Sequence, residues 1–271
     1  MLTLIAHAKI NTFLDITGKR ADGYHLLETV MQSIDLADIV TVKLTGSGMT
    51  VSCSDPTVPE NEGNICYKAA DLFFTLLGKH GGADIYIDKR IPHGAGLGGG
   101  SADAAAVLRG LNELYDKPFD EEDILKIAAK TGADVPFCMT GGTKLCRGIG
   151  EEMEDTAPLH THYYLIVKPD FGCDTRSAYG KYDKAPVPRK ERCVGEFYNV
   201  FRELYKNEQI NGIVQRLKDL GAHGAELTGS GSAVFGAFMY EREAAAAAKK
   251  FPNCFTAVCR PVSEGTLSID N

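Results

Sequence analysis

The sequence predicts an α+β fold of two domains. Its 271 residues are enough for two ordinary domains. The predicted strands and helices are mixed, without the strict strand–helix alternation that is typical of a doubly wound sheet. The second half is richer in helical patterns, and we place the boundary near residues 155–160, before Pro158. We therefore expect an N-terminal domain over residues 1–156 and a C-terminal domain over residues 157–271.

The first predicted element is a strand over residues 2–17. One of its faces is apolar and the other carries Lys9 and Asn11, which is typical of a strand with one apolar face. Because residues i and i+2 of a strand point the same way, we expect Lys9 and Asn11 to act together. The apolar positions are Leu2, Leu4, Ala6, Ala8, Ile10, Leu14 and Ile16.

The later elements follow from the same periodicities, two for strands and 3.6 for helices. We expect strands at 39–45, 49–53, 83–91, 163–169 and 254–260, short β structure at 143–156, and a strand, tight turn and strand over 225–238. We expect helices at 64–79, 101–115, 121–131, 175–182, 192–206, 211–220 and 241–251.

Composition excludes several classes of protein. The net charge of −7 and the pI of about 5.5 argue against binding to nucleic acid or to an anionic membrane, both of which need a basic face. The eight cysteines include no C-x-x-C pair, which makes a zinc site improbable and favours reduced thiols. The first residues resemble neither an export signal nor a membrane span, so we expect a cytoplasmic protein.

The segment HGAGLGGGSADAAA, residues 93–106, has five glycines between Gly94 and Gly100. Glycine loses more backbone freedom on folding than any other residue, so the run indicates that something approaches the backbone closely. The spacing also fits the dinucleotide fingerprint, but the acidic residue at the required distance, Glu113, falls inside a predicted helix. It fits the Walker A pattern too, with Gly100 where the lysine belongs, so a cation must come from elsewhere in the chain.

Three interpretations of the glycine run remain: a dinucleotide loop, tight helix packing, and a phosphate loop at a helix N-terminus. The phosphate loop accounts for both the glycines and the alanines after them. We expect Ser101 to be the N-cap of the helix and Asp103 to lie in its first turn. The triplet 170–172 spells the protein-kinase metal motif without the other kinase motifs, so we predict only a turn there.

Three segments together resemble the GHMP kinases. Pro92–Ser101 resembles their phosphate loop, which has no Walker lysine; residues 8–11 (AKIN) and 227–232 (LTGSGS) resemble their first and third motifs. Residues 20–25 (RADGYH) and 132–137 (GADVPF) resemble one branch of that family. The resemblance extends from about Ala6 to Phe238, and so covers nearly the whole chain.

The resemblance implies a two-domain α+β fold with the active site in the cleft between domains. It implies transfer of the γ-phosphoryl group of ATP, with Mg²⁺, to the 2-hydroxyl of a cytidine diphosphate-linked methylerythritol in the non-mevalonate route to isoprenoid precursors. The alternatives are a kinase for another small alcohol such as homoserine or a sugar, a non-catalytic ATP sensor, and a Rossmann oxidoreductase. Oligomeric state, kinetic constants and regulation are not predicted.

The resemblance also assigns roles to individual residues. Asp134 becomes the catalytic base and Lys9 its electrostatic partner; from the residues alone, Asp134 is equally a helix N-cap and Lys9 a solvated lysine. The residues assigned to ATP are Pro92, His93, Gly94, Ala95, Gly96, Leu97, Gly98, Gly99, Gly100, Ser101, Ala102 and Asp103, with Asn64 and Lys89 near the adenine. Asn64 is equally a helix cap, and Lys89 a strand-end lysine.

The remaining assignments concern the acceptor substrate and the metal. The resemblance places Asn11, Tyr24, His25, Thr175 and Tyr179 in the pocket for the cytidine and methylerythritol groups. Ser101 is the expected contact to Mg²⁺ or to the phosphates, and Gly229–Gly231 either face the phosphates or form only a turn. Two departures from the family pattern, His7 for a proline and Ala102 for a serine, remove no catalytic group.

Overall fold

The computed structural model describes residues 1–79, 81–157, 161–193 and 195–269. The fold is α+β, as predicted, and consists of two β-sheets with helices packed against them. The strands are β1 (Leu2–Lys19), β2 (His25–Thr45), β3 (Gly48–Cys53), β4 (Gly82–Asp88), β5 (Thr143–Arg147), β6 (Glu152–Asp155), β7 (Tyr163–Lys168), β8 (Tyr198–Asn199), β9 (Gly224–Leu227), β10 (Val234–Phe238), β11 (Phe255–Cys259) and β12 (Thr266–Ser268). The helices are α1 (Ile65–Leu77), α2 (Gly99–Leu114), α3 (Glu121–Thr131), α4 (Val135–Thr140), α5 (Thr175–Lys184), α6 (Val200–Tyr205), α7 (Glu208–Asp219) and α8 (Glu241–Ala248).

The larger sheet is built around the long antiparallel pair of β1 and β2. Its central order is β12-β1-β2-β4-β3. Elsewhere along the two long strands, β8 pairs with β1 and β5 pairs with β2, and β6 pairs with β5. Helices α1 to α4 cover one face through a core that includes Phe73, Val107 and Phe137. Two strands from the second half of the chain, β8 and β12, pair with β1, so the two halves interlock.

The smaller sheet has the order β11-β7-β10-β9, and all of its neighbouring pairs are antiparallel. Helices α7 and α8 pack against it around a core that contains Leu165, Leu217 and Phe238. A third apolar cluster, which includes Ile10, Leu97 and Phe235, joins this sheet to β1 and to the glycine loop. The glycine loop is therefore fixed between the two sheets.

The predicted polar face of the strand over residues 2–17 is buried rather than exposed to solvent. The strand forms, but residues 7–15 are buried on both faces. Lys9 lies under Gly98 of the glycine loop, and Asp15 accepts from Lys190 N (2.8 Å). Register shifts after His7, Asn11 and Ile16 mark bulges, which re-aim side chains along the strand.

Three further predictions need correction. Of the described residues in the predicted helix 192–206, only Val200–Tyr205 belong to a helix, because Tyr198–Asn199 pairs with β1 and the Asn199 side chain caps the helix that begins at Val200. The strand predicted at 39–45 begins at His25, and α4 and β12 were not predicted. The predicted boundary near residues 155–160 lies partly outside the described residues, and the domain limits 1–156 and 157–271 stay a prediction.

Within the described residues, no helix is both long and apolar enough to cross a membrane.

Candidate active site

One cavity of about 970 Å³ collects most of the predicted site residues between the two sheets. Its wall includes residues 92–101 of the glycine loop, residues 229–231 of the second glycine segment, and Asp134. Asn64, Ala102 and Asp103 are absent from the wall, and the last two are buried in α2. The other predicted residues on the wall are Lys9, Asn11, Tyr24, His25, Lys89, Thr175 and Tyr179.

Lys9 and Asp134 meet on this wall. The distance between Lys9 Nζ and Asp134 Oδ2 is 3.2 Å, and the lysine side chain is 5% exposed against 32% for the aspartate. Asp134 occupies the N-cap position of α4 but makes no side-chain capping bond, because its carboxylate turns to the lysine instead. The carboxylate is therefore both paired and accessible from the cavity, as a group that exchanges a proton with a substrate requires.

The glycine loop leads directly into the N-terminus of α2. The helix begins at Gly99, with Gly98 in the left-handed conformation at its N-cap (φ 72°), and no side chain caps it. The prediction of Ser101 as N-cap and of Asp103 in the first turn is wrong, because the N-cap is Gly98, three residues earlier. The uncapped amides and the helix dipole favour an anion at this end of the helix.

The second glycine segment packs against the first. A Cβ on Gly96 (φ 76°) would lie 2.2 Å from Thr228 O, so this close backbone approach requires glycine. Ala233 N donates to Ala95 O (3.0 Å), and Thr228 Oγ1 donates to Gly96 O (3.2 Å). The segment around Gly229 is therefore more than a hairpin turn, since it supports the glycine loop.

Lys89 is part of a buried ionic cluster under the loop. Its Nζ lies 2.6 Å from Asp38 Oδ2 and 2.5 Å from Asp103 Oδ2. Asp38 Oδ1 also accepts from the backbone N–H groups of Arg90 (2.6 Å) and Ile91 (2.8 Å), at the start of the loop. The cluster therefore ties the strand end, the loop entrance and α2 together.

The charges of this cluster shift one another's ionisation. Burial alone would lower the pKa of Lys89, but the carboxylates of Asp103 and Asp38 outweigh it and raise that pKa. Burial raises the pKa of Asp103 well above its usual range, more than Lys89 lowers it. Asp103 Oδ1 is buried without a hydrogen-bond partner among the described residues.

The sequence analysis did not identify Asp38 as a residue of this cluster, because it is 51 positions from Lys89 in the chain.

Asn64 is the N-cap of α1. Its side chain accepts from Cys66 N (2.8 Å) and donates to Pro59 O (2.7 Å), so both ends of the amide have protein partners. This geometry bears out the helix-cap alternative for Asn64. The assignments of Asn64 and Lys89 to the adenine stay predictions.

The far end of the cavity is aromatic. The rings of His25 and Tyr179 stack with centroids 4.7 Å apart, and Tyr24 is 61% exposed beside them. His25 Nε2 lies 2.8 Å from Asp183 Oδ1, and Lys19 Nζ donates to Asp183 Oδ2 (2.7 Å). These bonds lower the pKa of Asp183. A flat ring such as a nucleobase can stack against the aromatic side chains of Tyr24, His25 and Tyr179.

Asp183 lines this cavity but was not assigned to it from the sequence, whereas Ser230 belongs to the segment that was predicted either to face the phosphates or to form a turn. The hydroxyl of Ser230 lies 2.8 Å from that of Thr175. Asp183 lies eight residues after Thr175 on α5, so helical periodicity was a usable signal for it.

The oxygen ligands available to Mg²⁺ are few. No cluster of three or more His, Cys, Asp or Glu side chains suited to a metal exists in the described part of the chain. Magnesium usually keeps several waters and binds through one or two protein oxygens plus substrate phosphates. The Ser101 hydroxyl and the Asp134 carboxylate, both on the cavity wall, fit that limited requirement.

The fold and this site define a phosphotransferase, and comparison with known proteins agrees. The family pattern described as the GHMP kinases N terminal domain matches residues 64–142, and that of the GHMP kinases C terminal domain matches residues 192–257. The chain belongs to the GHMP kinase family. GHMP kinases use ATP, so the chain is an ATP-dependent small-molecule kinase, as the motifs predicted.

The most similar relatives that we compared share one name within this family. A protein of Clostridium tetani, 43% identical over 88% of this chain and 91% of its own length, is called 4-diphosphocytidyl-2-C-methyl-D-erythritol kinase. One of Acetivibrio thermocellus with the same name is 41% identical over 93% and 95% of the two chains. A solved 4-(cytidine 5'-diphospho)-2C-methyl-D-erythritol kinase superposes with a TM-score of 0.79 at 31% identity, covering 96% of this chain and 99% of the other. A homoserine kinase of Cytophaga hutchinsonii, at 18% identity with a TM-score of 0.75 over 99% and 97% of the two chains, shares the fold.

Proposed function

We propose that this enzyme transfers the γ-phosphoryl group of ATP to the 2-hydroxyl of 4-diphosphocytidyl-2-C-methyl-D-erythritol. The observation that carries the proposal is the contact of Lys9 with Asp134 on the wall between the glycine loop and the aromatic end of the cavity. The names of the relatives support the same substrate. The eight free cysteines support a reducing compartment, and we propose the cytoplasm.

The protein's contribution is mainly positioning and electrostatics, because phosphoryl transfer needs little covalent chemistry from the enzyme. The loop amides and the N-terminus of α2 bind the triphosphate. The substrate hydroxyl oxygen attacks the γ-phosphorus, its proton passes to Asp134 Oδ2, and the bond to the bridging oxygen breaks to release ADP. Lys9, 3.2 Å from Asp134, places a positive charge beside the reacting groups, where it can stabilise negative charge on the attacking oxygen.

Mg²⁺ would neutralise developing charge on the phosphates when bound. Ser101 is the side chain that we propose to contact it, since its residue lies on the cavity wall in the first turn of α2. The cytidine group would lie against Tyr24, His25 and Tyr179, whose rings form the far end of the cavity.

The test is a coupled ADP assay with Mg-ATP and 4-diphosphocytidyl-2-C-methyl-D-erythritol. Wild-type protein is expected to turn over, and Asp134→Asn to lose about 10²–10⁴-fold in kcat, as for loss of a general base. Asp120→Asn is the matched control, because Asp120 caps α3 and lies outside this cavity. No ADP from wild type, or a full rate in Asp134→Asn, would disprove the proposal, and turnover of homoserine alone would redirect it.

A further inference from the structure

We infer that Thr29 is a positioning residue for the reaction, because it fixes the side-chain amide of Asn11 and through it the ammonium group of Lys9. This inference rests on the proposed roles of Lys9 and Asp134. Thr29 lies on β2, is fully buried, and is absent from the cavity wall. No motif of the sequence points to it.

The Asn11 amide connects three parts of the site. Its Oδ1 accepts from Lys9 Nζ (2.7 Å) and from Gly229 N (3.0 Å), and its Nδ2 donates to Thr29 Oγ1 (2.8 Å). Asn11 N donates to Thr228 Oγ1 (3.0 Å), beside Gly229. With 1% exposure, the residue joins the proposed catalytic lysine to the second glycine segment.

The orientation of this amide follows from the chemistry of its partners. The ammonium of Lys9 and the backbone N–H of Gly229 can only donate, so the atom that faces them is the oxygen. The Thr29 hydroxyl donates its single proton to Phe13 O (2.6 Å), so towards Asn11 it can only accept. Both ends of the amide therefore require the same orientation. In a flipped amide, the NH₂ group would face the donors of Lys9 and Gly229, and neither contact would be a hydrogen bond.

The consequence for Lys9 is a fixed direction of its charge. An ammonium group has three protons; one is directed to Asn11 Oδ1 and one to Asp134 Oδ2. Lys9 N also donates to Leu97 O (3.0 Å), which ties its backbone to the glycine loop. With two protons held in this way, the third is available for the substrate oxygen or the phosphates.

Removal of the Thr29 acceptor would leave a buried Asn11 N–H without a partner. A buried unpaired donor is unfavourable, so the amide would turn towards water in the cavity and draw its oxygen away from Lys9. The ammonium would then lose its fixed direction while the ATP loop stayed intact. We therefore expect a loss in kcat rather than in the KM for ATP.

Thr29→Val tests this with nearly unchanged volume, and Thr12→Val is the matched control. Thr12 lies beside Asn11, is 2% exposed, and its hydroxyl donates only to Val30 O (3.3 Å). We expect Thr29→Val to lower kcat about 10–100-fold with the KM for ATP within threefold, Thr29→Ser to recover to within threefold of wild type, and Thr12→Val to stay within twofold. A kcat for Thr29→Val within twofold of wild type, or an equal loss in Thr12→Val, would overturn the inference.

A second measurement separates this inference from the proposed function. In the same four proteins, mass-spectrometric mapping of trinitrobenzenesulfonate labelling reports the accessibility of Lys9 without any substrate. Labelling of Lys9 should be faster in Thr29→Val and unchanged in Thr29→Ser and Thr12→Val. Equal labelling in all four would overturn the positioning role, whatever alcohol the enzyme phosphorylates.

A third measurement needs no variant, in case Thr29→Val does not fold. In wild-type protein, NMR should show slow hydrogen exchange at the Asn11 side-chain amide, compared with that of the exposed Asn253. Equal exchange rates at the two amides would contradict the fixed orientation.

Discussion

Two lysines lie under the glycine loop, and they differ in how their charge is balanced. A Cβ on Gly98 would lie 2.9 Å from Lys9 Cγ, and one on Gly99 would lie 3.0 Å from Lys89 Nζ. Lys9 pairs with an amide and one carboxylate that is 32% exposed to the cavity. Lys89 pairs with two carboxylates that are at most 3% exposed.

This difference supports our proposal that Lys9 has a chemical role and Lys89 a structural one. The positive charge of Lys89 is balanced by carboxylates that are buried inside the protein. Lys89 therefore stabilises the loop but contributes little positive charge to a ligand in the cavity. The charge of Lys9 is shared with a group that faces the cavity, so it can respond to a substrate. Of the two lysines beneath the loop, Lys9 on β1 is therefore the one whose charge can reach a bound ligand.

Lys9→Met should break the chemical side of this comparison and give the largest effect. We expect kcat to fall about 10³-fold, because one charge that stabilises the transfer is lost. The free energy of unfolding should change by less than about 2 kcal/mol, since the exposed face of Asp134 can still be hydrated. Steady-state kinetics and urea unfolding measure both, with Lys43→Met, on the exposed part of β2, as the control. A stable Lys9→Met enzyme with normal kcat would remove the distinction.

Lys89→Met tests the structural role of the second lysine and should lower the stability of the protein. It leaves Asp38 and Asp103 buried without their cation, and removal of one partner of a buried ion pair costs about 3–5 kcal/mol. We expect the urea midpoint to fall accordingly, again against Lys43→Met as the exposed control. If Lys89→Met were as stable as wild type but unable to bind ATP, the lysine would instead be a ligand contact near the adenine.

Gly98→Ala should sharpen the comparison, because its new Cβ would contact Lys9 rather than Lys89. Gly98 has a φ of 72°, which disfavours alanine by about 1 kcal/mol, and the displaced lysine would lose alignment with Asp134. We expect kcat to fall about 10-fold, since a small misplacement at a site is costly. Gly100→Ala is the control, because its Cβ would meet only Ile65 Cγ2 at an ordinary 3.5 Å. Equal rates in the two variants would contradict this account.

The sequence predicted the parts of the site that are local in the chain. The glycine loop, Lys9 and the segment 225–238 were recognisable because each carries its pattern within a few residues. The role of Asp134 was open between cap and base, and only the structure shows that its side chain makes no capping bond.

What the sequence could not predict depends on contacts between distant residues. Asp38 pairs with Lys89 because β2 and β4 are neighbours in register, and Thr29 reaches Asn11 across β1 and β2. No periodicity reports such partners. The same limit explains why Tyr198 and Asn199 were predicted as part of a helix, since the pairing of β8 with β1 is also long-range.

The smallest expected effect is a change with pH in the free energy of unfolding, which arises from the protonation of Asp103 beside Lys89. The titratable groups that interact with Asp103 include Lys89, Asp38 and the thiols of Cys53, Cys66 and Cys138. Burial raises the pKa of Asp103 well above its unfolded value of about 4, so the folded state holds a proton that the unfolded state releases. Its contribution to stability is therefore complete below about pH 4 and is lost as the pH rises through the folded pKa.

Asp103→Asn should remove this dependence. The free energy of unfolding of wild type, relative to Asp103→Asn, should fall by at least about 1 kcal/mol between pH 5 and pH 8. The comparison uses urea unfolding across that range, with Asp88→Asn as the control, because the Asp88 side chain is 41% exposed and pairs with Arg90 at the surface. A pH-independent difference would mean that Asp103 is ionised throughout. Lys89 would then be balanced by two full charges, and the buried cluster would have a net negative charge beneath the phosphate loop.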